Sequence, residues 1–201
     1  MGFISPNHLK GRVRSYEAPS DDISTWTPVA NWSSNLVVYE WGAIAGRLLN
    51  GSGVNYSIGG MYLEFENVAS AGTVVAAPTI DRTRSISYYT GLSSSTDRDY
   101  LRVPLTATQL LSSDNTLYPH GNQCLFFARS AGTSGIHGKD FSDDTAAGKV
   151  SKMFGASLVA FVDDTDYTQD LILSSFYFAD ALQQVKLSTS QIGIEWELTL
   201  Q

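Results

Sequence analysis

Ile192-Gly193-Ile194-Glu195-Trp196-Glu197-Leu198-Thr199-Leu200-Gln201 alternates without a fault. Ile192, Ile194, Trp196, Leu198 and Leu200 share one face, and Gly193, Glu195, Glu197, Thr199 and Gln201 share the other. Successive side chains on a strand point to opposite faces, so a period of two with one apolar face marks a half-buried strand. The stretch predicts a strand stitched into a sheet. Met61 to Val68 has the same acidic and aromatic character, with Met61, Leu63 and Phe65 on one face and Tyr62, Glu64 and Glu66 on the other. Direct pairing of the two would set glutamates against glutamates, which is unfavourable. They are expected in one sandwich but not as immediate neighbours, with the glutamates on its wet face.

Other short apolar runs extend the pattern. Tyr100 to Leu105, Cys124 to Ala128, Ala156 to Val162 and Leu171 to Phe178 read as strands, and Thr73 to Ala77, Arg84 to Tyr89 and Gln183 to Leu187 as shorter ones. Cys124 to Ala128 and Ala156 to Val162 are apolar on both faces, the mark of central strands. Pro104 has no N–H to donate, which places Tyr100 to Leu105 at an edge or a strand end. One helix stands out over residues 34–50: Val37, Trp41, Ile44 and Leu48 recur at helical spacing, Ser33 or Ser34 can cap its start, and Gly51 its end. Thr106 to Ser112 reads as a helical turn or two, and Ser142 to Met153 as a short helix ended by Gly155. Helices do not alternate with strands, so parallel βαβ winding is not expected. The pattern predicts a mainly β chain: a single-domain antiparallel β-sandwich, jelly-roll-like, of about eight strands.

Composition bounds the work such a body can do. Only 16% of the 201 residues are charged, against roughly 25% in ordinary soluble domains. The net charge is −7, unevenly spread: residues 1–14 hold Lys10, Arg12 and Arg14 and no acid, and the rest holds 10 basic and 20 acidic residues, a balance of −10. An acidic body argues against nucleic acid as the main partner. No apolar run approaches the ~20 residues of a membrane span, and no signal peptide is visible. The single cysteine, Cys124, allows no internal disulfide and fits a reducing cytoplasm.

Residues 1–33 have no clear period, with Pro6, Gly11, Pro19 and Pro28 among them. They read as an irregular N-terminal arm, with residues 34–201 as the β body. Phe3, Ile4, Trp26 and Trp32 would be buried across the body or across a neighbouring subunit, or the segment is an edge strand on its own core. Together with Lys10, Arg12 and Arg14 they are the candidate interface residues.

Signals for chemistry are thin. Cys124 has apolar neighbours and packs as a small hydrophobe more readily than it serves as a nucleophile. His8, His120 and His137 have no second ligand at zinc spacing, and no G-x-S-x-G elbow supports a serine triad. Asp163, Asp164 and Asp166, with Asp140, Asp143 and Asp144, would suit calcium, but lack the glycine and closing glutamate of a calcium loop. A solvated turn is the plainer reading. Glu64/Glu66 or Glu195/Glu197 could form a glycosidase pair, against the commoner role of glutamates facing water.

MYLEFENV at 61–68, DRDYLRVPL at 97–105, SSFYF at 174–178 and SQIGIEWEL at 190–198 together resemble uncharacterised virion structural proteins of tailed bacteriophages, typically encoded near the major capsid protein gene. The resemblance runs over most of residues 36–200 and carries no catalytic motif. It implies a particle component made in the host cytoplasm and assembled in many symmetric copies, with the major capsid protein or other virion proteins as partners and no cofactor. Within that class the expectation is a cement or decoration protein clamping capsomers by its arm and by strand addition at sheet edges. The alternatives are a head–tail connector or tail component, and a glycan-binding or hydrolytic β-sandwich at the host surface.

Overall fold

The computed structural model describes residues 9–39, 41–42, 44, 46, 50, 56–76, 98–111, 123–131, 137–138, 149–162, 166–186 and 189–200. Its strands are β1 (Leu9–Glu17), β2 (Thr27–Pro28), β3 (Ser33–Ser34), β4 (Leu36–Val37), β5 (Ser57–Val68), β6 (Arg98–Leu111), β7 (Gln123–Ala131), β8 (His137–Gly138), β9 (Val150–Phe161), β10 (Leu171–Tyr177), β11 (Gln184–Lys186) and β12 (Gln191–Leu200). The pairings are antiparallel and run β2-β1-β12-β7-β6-β5-β9-β10-β4, with β3 added on β1, β8 on β6 and β11 on β9. β12 turns Ile192, Ile194, Trp196 and Leu198 into the core, and burial of each contributes about 1.5–3 kcal/mol. β5 and β12 are separated by β6 and β7, so their glutamates never face one another.

The sheet curls because β6 serves two neighbours in turn. Its first half pairs with β5, as far as Gly60 opposite Pro104. Its second half pairs with β7, from Leu105 opposite Ala128, with a register shift before Ala107. Pro104 lies at the changeover, where a missing N–H costs least. The inner faces of both halves feed one core, in which Val13, Phe126 and Trp196 meet Leu63, Leu101, Leu158 and Leu173.

One segment spans the gap between the ends of the sheet. Ser33 and Ser34 pair with Val13 and Arg12 on β1, and Leu36 and Val37 pair with Ser175 and Ser174 on β10. The changeover is Asn35. Its backbone N–H donates to the Gly11 carbonyl at 3.2 Å, and its Nδ2 donates to Ser174 Oγ at 2.7 Å. Gly11 leaves room for this carboxamide, because a Cβ there would collide with it.

Several local expectations are corrected by these pairings. Residues 34–50 do not form one helix: Ser33–Ser34 and Leu36–Val37 are strands. Trp41, Gly42, Ile44, Gly46 and Asn50 are helical, and the remaining positions of 40–50 lie outside the described residues. Thr106 to Leu111 continues β6, and Val150 to Met153 opens β9, where helical turns were expected. Residues 9–17 are a full strand of the sheet, so the described part of 1–33 is a component of the body and not an arm beside it. The outer face of β5 is also not wet: Tyr62 and Glu64 are fully buried, as are Ser157 and Val159 on β9. The strand predicted at Arg84 to Tyr89 lies outside the described residues.

Candidate functional site

The β1–β12 register assembles the most distinctive surface of the described structure. It sets Arg12 opposite Glu197, Arg14 opposite Glu195 and Tyr16 opposite Gly193 on the outer face. Opposite charges facing each other across a strand pair attract. Arg12 donates to Glu197 at 2.8 Å and Arg14 to Glu195 at 3.0 Å, while the Tyr16 hydroxyl donates to the same Glu195 carboxylate. The acidic neighbour of the basic N-terminal segment is therefore its own β12. Burial and the adjacent Glu195 charge push the Tyr16 phenol up, so it stays a neutral donor. The two glutamates are buried, but Arg12 keeps 46% of its side chain exposed. Pairs open to solvent on one side contribute about 0.2–1 kcal/mol each.

Trp32 completes the patch. The Arg12 guanidinium stands 4.3 Å from the indole centre and that of Arg14 4.6 Å. Cation–π contacts of this kind are worth about 0.5–1 kcal/mol each at exposed sites. The result is an Arg–Trp–Arg ladder whose cations are also fixed by carboxylates. Trp32 remains partly exposed, and Val29 beside it is 51% exposed. Both line a groove of about 510 Å³ with Arg14 and Leu182. Lys10 lies exposed at the other end of β1, beside a smaller cleft it shares with Arg12 and Glu197.

The remaining interface candidates divide. Trp26 belongs to this chain's own packing. Its ring lies over Gly193, where a Cβ would stand 2.7 Å from it, and meets Tyr16 at 5.8 Å and Phe127 at 5.9 Å. The Trp26 indole N–H donates to the Ser20 carbonyl. Arg129 on β7 holds the same turn through the Ala18 and Pro19 carbonyls and Asp21. Phe3 and Ile4 lie outside the described residues.

A second polar cluster is buried. The Arg102 side chain on β6 donates to Asp170 at 2.8 Å, and the Tyr62 hydroxyl on β5 donates to the other Asp170 oxygen at 2.6 Å. The Arg102 guanidinium also lies 3.5 Å from the centre of the Phe161 ring. Burial pushes the Asp170 carboxyl up to about 6, with Tyr62 and Arg102 pulling it the other way. Neither side chain of the ion pair has exposed surface. The cluster's work is to tie the segment before β10 to β5 and β6. Nothing in the sequence pointed from Arg102 to Asp170, 68 residues on.

Among the described residues, those weighed for chemistry form no group of three that could hold a metal ion. Cys124 is half-buried against the core, and burial raises its thiol, which opposes nucleophilic use. Asp166 spends its oxygens on the turn after it, accepting from the Thr168 backbone N–H and hydroxyl and from Gln169. Asp140, Asp143, Asp144, Asp163, Asp164, His8 and His120 lie outside the described residues, and His137 is on β8 opposite Arg102. Glu64 and Glu66 are on β5, with β6 and β7 between them and β12. Among the described residues no helix is long and apolar enough to cross a membrane. No family model, curated protein or solved structure is significantly similar to this chain.

Proposed function

We propose that the chain is a structural component of a tailed-phage virion, a cement or decoration protein that stabilises the head by clamping neighbouring capsomers. The observation that carries this reading is the Arg12–Trp32–Arg14 ladder beside exposed Val29. Tryptophan and arginine dominate the energetics of protein–protein interfaces, and a side chain already held in place loses little entropy on docking. The groove between Trp32, Val29 and Leu182 receives an apolar side chain of the neighbour, and the exposed part of Arg12 meets an acceptor beside it. The two halves of the curled sheet face one another across a shared core as the layers of a jelly-roll-like sandwich, which gives the clamp a rigid base. The resemblance in the β5, β6, β10 and β12 segments supports the virion assignment, and the low charge of the chain suits a surface spent on assembly.

The test is the copy number in purified virions, measured by quantitative mass spectrometry against the major capsid protein. A ratio near that of the capsid protein, or a simple fraction of it, is expected. A handful of copies per particle would move the protein to the connector or tail, and absence would end the virion reading. Trp32→Ala is expected to lower occupancy on depleted particles at least about tenfold, since a truncated interface anchor costs ~2 kcal/mol or more. Trp32→Phe, which keeps an aromatic face, is expected to lose less.

A further inference from the structure

Past Asn35 the two ends of the sheet part again. β2 and the end of β1 form one wall and β11 the other, and between them lies a cleft of about 620 Å³. That volume is in the range of small-molecule sites. Its walls carry Glu17, Thr27, Gln184 and Gln191, with Val29 and Val185 between them.

These side chains define a ligand class. Carboxamides and hydroxyls both donate and accept, and Glu17 accepts only. Among the described residues the lining includes no lysine, arginine or histidine to balance a phosphate or a carboxylate. The apolar part is Tyr16, Pro19, Val29, Val185 and Ile192, interrupted along the chain by polar residues, so apolar and hydrogen-bonding groups share one lining. What fits is a neutral molecule with many hydroxyls and small C–H faces. The site is also preorganised: Gln184 on β11 donates from Nε2 to Ser15 Oγ at 3.2 Å, and Ser15 is itself buried on β1. The walls are strands of one sheet, so the spacing of the polar groups is fixed.

We propose that this cleft binds a saccharide, a single sugar residue or a short neutral oligosaccharide, with Glu17, Gln184 and Gln191 hydrogen-bonding its hydroxyls and Val29 and Val185 against its C–H face. The proposal does not depend on the virion reading, and its failure would leave that reading standing.

The experiment is saturation-transfer and amide-shift NMR on the full chain with glucose, galactose, N-acetylglucosamine, lactose and glucose 6-phosphate. At least one neutral sugar is expected to bind at millimolar concentration or better, with shifts centred on the cleft, at Glu17, Thr27, Val29, Gln184, Val185 and Gln191. Glucose 6-phosphate is expected to bind no better than glucose. Gln184→Leu is expected to weaken binding about tenfold, and Gln191→Ala, at an exposed position that bears no core packing, guards against a folding defect in the first variant. No binding by any neutral sugar, shifts centred elsewhere, tighter binding of the phosphate ester, or unchanged affinity in a folded Gln191→Ala and Gln184→Leu pair would each overturn the proposal.

Discussion

Arg102 carries a full charge with no exposed surface, and what makes that tolerable is Asp170. Removing one partner of a buried pair leaves the other uncompensated, a loss of about 3–5 kcal/mol. Arg102→Met is expected to destabilise by that amount at neutral pH, and the effect should depend on pH in a definite direction. Asp170 already has a folded-state value of about 6, above its ordinary 3.8. The folded chain therefore holds a proton that the unfolded chain has released between those values, and stability from this group is complete below about pH 4 and lost as pH rises through 6. Without the guanidinium the folded-state value rises further, so the variant's deficit should be smaller at pH 5 than at pH 7.5. Urea titrations at the two pH values check this, and an equal deficit at both would refute it. At this scale the sequence was partly readable. Arg12, Arg14, Glu195 and Glu197 were each visible as charged residues, but their partnership depends on a register across more than 180 positions, which no local pattern encodes. Gly193 looked like an idle place on the polar face, and it is the space occupied by the Trp26 ring.

Among the elements, alternation was a sound guide and helical spacing was not. β12 and β5 lie where the period of two put them, and β7, β10 and β11 lie where short strand-like runs were read. The helix expected from residue 34 failed at its start because the backbone of Ser33–Val38 is taken by hydrogen bonds to the two ends of the sheet, which outweigh intrinsic propensity. Thr106 to Leu111 and Val150 to Met153 were misread for the same reason, since tertiary pairing with β7 and β5 decides their state. Gly155 is no helix stop; the Tyr177 ring lies across it. Edge protection was not read at all. Val29 donates to the Ser15 carbonyl, so Tyr16 and Pro28 form the adjacent unbonded pair, whose backbone groups point away from β1. The outward position is a proline, so β2 offers no N–H to an added strand there. This disfavours strand addition at β2 and favours the side-chain contact argued above. The element whose loss matters most is β1. Truncation through Glu17 is expected to abolish the cooperative fold, because it strips one of the two neighbours of β12 from Ile192 to Leu200. Circular dichroism and size-exclusion chromatography check this; a folded monomer after the truncation would restore the picture of a dispensable arm.

For the whole molecule, the decisive feature is that both ends of one sheet are brought to the segment 33–38. No sequence pattern announced this, because it is a property of curl and not of any strand. Asn35 stands at the junction, so Asn35→Ala is expected to cost about 0.5–1.5 kcal/mol, the net worth of a hydrogen bond. Its distinguishing effect should be on exchange: the amides of Asn35 and Val38, which donate to Gly11 and Leu173, should exchange faster than those of β12, measured by hydrogen–deuterium exchange. Uniform acceleration across the sheet would mean that Asn35 holds no separate closure. The pairing of β1 with β12 has a different consequence, one of timing. Glu197 follows Arg12 by 185 residues, and at ribosomal speeds of roughly 5–20 residues per second the first strand is made about 10–40 s before its partner. During that interval Val13, Tyr16 and Trp26 have no β12 to pack against, and the nascent chain is exposed to chaperones, to proteases and to other copies on the same message. Slowing translation should therefore lower the yield of folded protein more than an equal slowing of a chain whose first strands pair with each other.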